Sequence, residues 1–209
     1  QIAALDPATF ASLSVDALNN LDSGQMAAIT SAQASAITSA QIDNLTPAQI
    51  AALSPNALSS LSVDAMGSLS AEQVAGFTAV QIDALGADQV AAIAPEAIAS
   101  LSLAAIGSLN AEQLGAFSIS QLEALTADQI AALSPTALIG LTDAQLAVIS
   151  ASFSADQATA ITDIADAQAI TPADAEALDE ATLDTYSPAK VAALLPTAFA
   201  AIQPGALAT

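Results

Sequence analysis

The chain contains no cysteine, histidine or tryptophan, and Lys190 is its only basic side chain. Without cysteine there are no disulfides and no thiolate chemistry. Without histidine as well, the usual ligands for zinc, copper and haem are missing. A serine nucleophile needs a neighbouring base, and Lys190 is the only amine side chain in the sequence. Binding to a phosphate backbone requires several cations to displace counterions, and attraction to anionic lipid fails for the same reason. Nucleic-acid binding is therefore not expected. Aromatics make up 3% of the residues, so any core must be aliphatic and closely packed. No run approaches the ~20 apolar residues that span a bilayer. The longest candidate, 191–202, is broken by Pro196, so membrane insertion is not expected. The first residues lack the basic start and apolar run of a signal peptide.

What is present is acid, small residues and repetition. Asp and Glu number 21, the formal net charge is -20, and 54% of the 209 residues are hydrophobic. Stepping by eight from Leu5 meets a large apolar residue at every stop through Leu45, Phe77, Leu85, Leu101, Leu125 and Leu141 to Ile149. The phase then slips by four to Phe153 and by nine between Ile161 and Ile170. It runs on through Leu178, Tyr186, Leu194 and Ile202. With this anchor as position 1, position 6 is also apolar, as at Leu18, Ile50, Ile82 and Ile98. Position 2 is mostly Ser or Thr, and all 9 prolines stand at position 3. Position 4 carries much of the acid (Asp16, Asp64, Glu72, Asp88, Glu96, Glu112, Asp128 and Asp156), and position 5 is usually Gln or Ala.

Each preference suits the start of a helix. Ser or Thr at position 2 is an N-cap. Pro at position 3 is N1, where its missing N–H costs nothing. Acid at position 4 meets the positive end of the helix dipole. Gln at position 5 can close a capping box. A helix start in every octad means that no helix runs far, because Pro inside a continuing helix costs ~3 kcal/mol. The predicted fold is all-α: a solenoid of very short helices, one per 8-residue repeat. Such helices are marginal alone and must be held by stacking. A β-solenoid is the rival, but β-branched and aromatic residues are sparse outside the anchors. The model predicts positions 1 and 6 buried and positions 4 and 5 exposed. The Gln row suits either capping or ladders between coils. Gly67, Gly76, Gly107, Gly115 and Gly140 fall at positions 7 and 8, where a C-terminal turn or close packing accounts for them.

A longer period overlies the octad. Residues 41–80 and 81–120 are identical at half their positions, and Gln41-Ile42-Asp43 returns as Gln81-Ile82-Asp83. This 40-residue super-repeat reflects either five mini-helices completing whole coils or duplication of a unit. Two regions are distinguished: 1–162, the regular solenoid, and 163–209, an irregular acidic segment followed by further octads of the same solenoid. Asp163, Asp166, Asp174, Glu176, Asp179, Glu180 and Asp184 are the one candidate for Ca²⁺. No Asp-x-Asp-x-Asp-Gly loop accompanies them, and helix-start acids account for them. No catalytic, cofactor-binding or metal-ligating residue is assigned.

Leu45-Thr46-Pro47-Ala48-Gln49-Ile50-Ala51-Ala52-Leu53 looks like the first helix of transcription-activator-like effector repeats. The longer unit and basic, base-reading positions of that family are absent. The octads resemble instead the Ala/Leu/Gln-rich short-repeat tracts of large secreted bacterial adhesin-like and surface structural proteins. That resemblance covers 1–202 and carries over no site residue. It implies a non-enzymatic role as an extracellular or cell-surface rod, stalk or filament. The alternative is a solenoid binding module for glycan, ice or protein. Gln1-Ile2-Ala3-Ala4-Leu5 and the residues from Ile202 to Thr209 read as ordinary octads rather than polar caps, so head-to-tail stacking of copies into a homopolymer is expected.

Overall fold

The computed structural model describes residues 2–202, which form helices and, among the described residues, no strand. Through most of the chain each octad is one mini-helix of four to six residues, as in Pro47–Ala51, Val63–Gly67, Ala87–Ala92 and Ala111–Gly115. The predicted caps form. Thr46 is extended, and its hydroxyl accepts from the Gln49 N–H while the Gln49 side chain accepts from the Thr46 N–H. The same reciprocal pair recurs at Thr30/Gln33, Ser70/Gln73, Asn110/Gln113 and Thr126/Gln129.

Mini-helices pack on the helices three octads before and after them. Ala87–Ala92 lies on Val63–Gly67 on one side and under Ala111–Gly115 on the other; Pro95–Ile98 is flanked in the same way by Ala71–Val74 and Ile119–Ala124. One coil is therefore three octads, so the chain forms three columns of mini-helices around a shared core. A 40-residue unit ends part-way round a coil, which removes the whole-coil explanation of that period and leaves duplication.

Positions 1 and 6 build the core. Every anchor from Ile29 to Ile149 is buried, and position 6 is wholly buried at Ile42, Ile50, Met66, Ile82 and Ile98. The anchors of the first coil, Leu5, Leu13 and Leu21, are only half-buried. A second, smaller cluster joins Ile164, Ala167, Ala175, Ala193, Leu194, Ala198 and Ile202.

Two expectations need correction. From Gln33 to Gln157 position 5 is not exposed: Gln33, Gln73, Gln81, Gln113, Gln121, Gln129 and Gln157 are buried, whereas Thr9 and Gln25 in the first coil, and Asp174 and Thr182 further on, are exposed as expected. The reason lies in the joints between coils, described below. Nor does every octad form its own short α-helix. Ala155–Ala169 is one helix of 15 residues. The octad from Ile161 has Asp163 and Ala165 where others carry Pro and Gln, and the Thr162 hydroxyl donates back to the Ala158 carbonyl instead of capping a new start. Ala137–Gly140 is a 3-10 turn packed closely on Ala111–Gly115. A methyl placed on Gly140 would lie 1.8 Å from the Ala111 carbonyl oxygen, and one on Gly115 would lie 2.5 Å from that of Gly140. No glycine among the described residues has positive φ. These glycines serve close packing rather than left-handed helix ends.

Candidate functional site

A helix of four to six residues consists almost entirely of ends, since the first four N–H and last four C=O groups of any helix lack internal partners. The N-cap side chain and the Gln carbonyl oxygen satisfy part of the amino end. The carboxyl end is met from the next coil. The Nε2 of Gln113 donates to the carbonyls of Ile82 and Leu85, both at 2.8 Å. Gln121 reaches Val90 and Ile93, and Gln73 reaches Ile42 and Leu45. In each case the carbonyl acceptors lie at the finish of the mini-helix that precedes the one stacked against the Gln's own helix, four octads back. One Gln side chain thus caps the start of its own helix and the finish of another. Capping and the ladder are the same interaction, and burial follows because the bridging amide sits inside the joint.

The phase slip preserves this bridge. Across the regular octads the anchor carbonyl lies 28 residues before its Gln. Gln157, just past the slip of four, donates to Leu133, which is 24 residues before it, and to Ile130. The missing half-octad leaves the joint bonded. Where position 5 is Ala, as at Ala57, Ala65, Ala97 and Ala105, the methyl group is fully buried and no such bridge exists.

The surface is acidic. The position-4 carboxylates named above are exposed. Asp64, Asp88 and Glu112 occupy equivalent places on successive helices of one column. The acids of 163–184 do not converge. The Ser187 hydroxyl donates to Asp163, Asp166 pairs with Lys190 at 3.6 Å, and Asp174 and Asp179 act as helix-start acceptors. Among the described residues no set of three acidic side chains is placed to hold a metal ion. Hydrogen bonds from the Thr9, Thr171 and Thr182 hydroxyls hold Asp6, Asp174 and Asp179, respectively, below the ordinary aspartate pKa, with backbone N–H donors adding to the effect. Glu72 is lowered by its own backbone N–H and then by Ser70. Lys190 also lies 4.6 Å from the centre of the Tyr186 ring. No helix among the described residues is long and apolar enough to cross a membrane.

One concavity stands out, and the residue pattern did not reveal it. A cavity of about 350 Å³ lies beside the long helix Ala155–Ala169, lined by Pro135, Thr136, Asp156, Thr159, Ala160, Asp163, Ser187 and Pro188. The signal in the sequence for its place is the double phase slip on either side of Ile161, which marks where one long helix replaces two short ones.

The geometry defines a class: a short-repeat protein folded as an all-helical solenoid of tandem mini-helices. Within it, residues 20–55 match the family model described as the ALTTAQ repeat. That stretch holds Ala28-Ile29-Thr30-Ser31-Ala32-Gln33 and Ala36-Ile37-Thr38-Ser39-Ala40-Gln41. In these, Thr is the N-cap and Gln the bridging residue. No match was found among curated proteins or among solved structures.

Proposed function

We propose that this chain is a non-enzymatic structural element, a segment of an extracellular or cell-surface rod, stalk or filament of adhesin-like character. The observation that carries the reading is the uniformity of the coil joint. The same Gln-to-carbonyl bridge recurs from Gln33 to Gln157, so each added coil is seated as the previous one was. A molecule built in this way gains length by adding copies and keeps its cross-section. The same joint would seat the coil of a second copy, which is the head-to-tail contact we propose between copies. Small-angle scattering and negative-stain imaging test this. At roughly 9 Å per coil, an elongated particle about 70–80 Å long is expected, lengthening in steps as salt screens the acids. A concentration-independent monomer at every salt concentration would remove the filament, and a compact round particle would remove the rod.

A second reading, a binding module for a glycan, ice or a protein, is favoured by one observation. Val80 and Leu103 are 66% and 52% exposed, and they stand on the stacked helices Ala79–Asp83 and Leu103–Gly107. Loss of adhesion to a purified ligand in a Val80→Ser, Leu103→Ser variant of unchanged length would favour binding over scaffolding.

A further inference from the structure

The cavity beside the long helix differs in chemistry from the rest of the surface. Pro188 opens the helix Pro188–Ala192, which packs on the long helix, Pro135 stands in the turn just before Ala137–Gly140, which also contacts it, and Ala160 lines the cavity from the long helix itself. Its size is that of a small-molecule pocket, mainly apolar with a few placed polar groups. Asp156 and Asp163 line it from one helix, seven residues apart. That is two helical turns, about 10 Å along the axis. Asp163 is half-buried and held in place by the Ser187 hydroxyl. The slot therefore carries a carboxylate near each end and an apolar middle. The chain's one basic side chain does not neutralise it, because Lys190 is engaged by Asp166 and lies over Tyr186.

From this arrangement we infer that the seam cavity binds a linear aliphatic diammonium compound, one ammonium group on Asp156, the other on Asp163, with the methylene chain against Pro135, Ala160 and Pro188. The ammonium groups gain charge-assisted hydrogen bonds, and the chain buries apolar surface. An anionic or neutral ligand of equal length gains only the second. The site is independent of the structural role proposed above, since an array can stack whether or not this cavity is filled.

The test is an NMR titration of the full chain with 1,5-diaminopentane, using n-pentylamine and sodium chloride as comparisons. Saturable shifts confined to the amides of Thr136, Ala160, Asp163 and Ser187 are expected with the diamine. Asp156→Asn and Asp163→Asn should each weaken binding by about tenfold, the worth of one charge-assisted contact. Ala160→Leu should block the cavity without changing charge, and n-pentylamine should bind more weakly than the diamine. The spectrum outside the seam reports whether each variant remains folded. Shifts spread over acids along the whole solenoid, shifts reproduced by sodium chloride at equal ionic strength, or affinity unchanged in both Asn variants would overturn the assignment. Equal binding of the monoamine would overturn its two-ended form.

Discussion

The coils from Ile29 to Ile149 and those from Ile170 to Ile202 use the same caps but are joined differently. In the first region the anchors are Leu, Ile and Phe, all buried, and most joints carry a bridging Gln. In the second, position 5 reads Asp174, Thr182, Lys190 and Ala198, and the core cluster is rich in Ala. Position 6, wholly buried at Ile82 or Ile98, is 40% exposed at Val191 and 46% at Phe199. Yet Pro172–Glu176 still packs on Pro196–Ala201, three octads on. The capping grammar is therefore enough to make mini-helices and to set the three-octad turn. Large anchors and Gln bridges add the bonded, fully buried joints of the first region.

The sharpest way to break this contrast is to remove one anchor from each region. Leu101→Ala should cost ~2–5 kcal/mol, the range for a buried Leu that leaves a cavity. Leu178→Ala, at a partly buried site, should cost less. Urea unfolding of both variants checks this, and equal losses would erase the distinction. Next in size is Gly140→Ala. Its added methyl would collide with backbone, so the coil must shift, at a cost of ~1–3 kcal/mol, whereas Gly86→Ala meets only the Gln89 side chain at 3.7 Å. Thermal melts should separate the two.

Gln113→Leu tests the bridge itself. The carbonyls of Ile82 and Leu85 would lose their buried donor, which costs about 1–3 kcal/mol. Hydrogen exchange should quicken at the joints on either side of Ala111–Gly115 more than at distant coils. A uniform change along the chain would mean that bridges do not act joint by joint.

Charge gives a smaller effect. With a net charge of -20, added salt should raise the melting temperature by screening repulsion. Protection should improve most within 163–202, where the joints lack Gln. Stability that stays flat from ~10 to ~300 mM salt would exclude repulsion as a major factor. The smallest effect is at the caps. Asp6, Asp174 and Asp179 have depressed pKa values when folded, so the stabilisation they contribute is in place above the ordinary aspartate value. It is lost as pH falls through the depressed one. Carboxyl NMR titration should place all three midpoints below 3.8. Midpoints at or above that value would mean that the Thr hydroxyls do not hold these carboxylates.

How much could be read from the chain alone follows from the range of each interaction. Leu45, Thr46, Pro47, Gln49 and Ile50 lie within one octad, and N-cap, N1, capping box and apolar rows are local choices, so helix starts and core positions were legible. The shift of phase at Phe153 marked the seam without describing it. The number of octads per coil, the burial of Gln113 or Gln121 and the cavity beside Asp163 were not legible. A coil closes according to the angles between successive mini-helices, and those depend on how anchors pack against residues about three octads away. Gln at position 5 satisfies a capping box equally well in water or in a joint. Only the arrival of the Leu85 and Ile93 carbonyls from the coil before decides that its other end is buried.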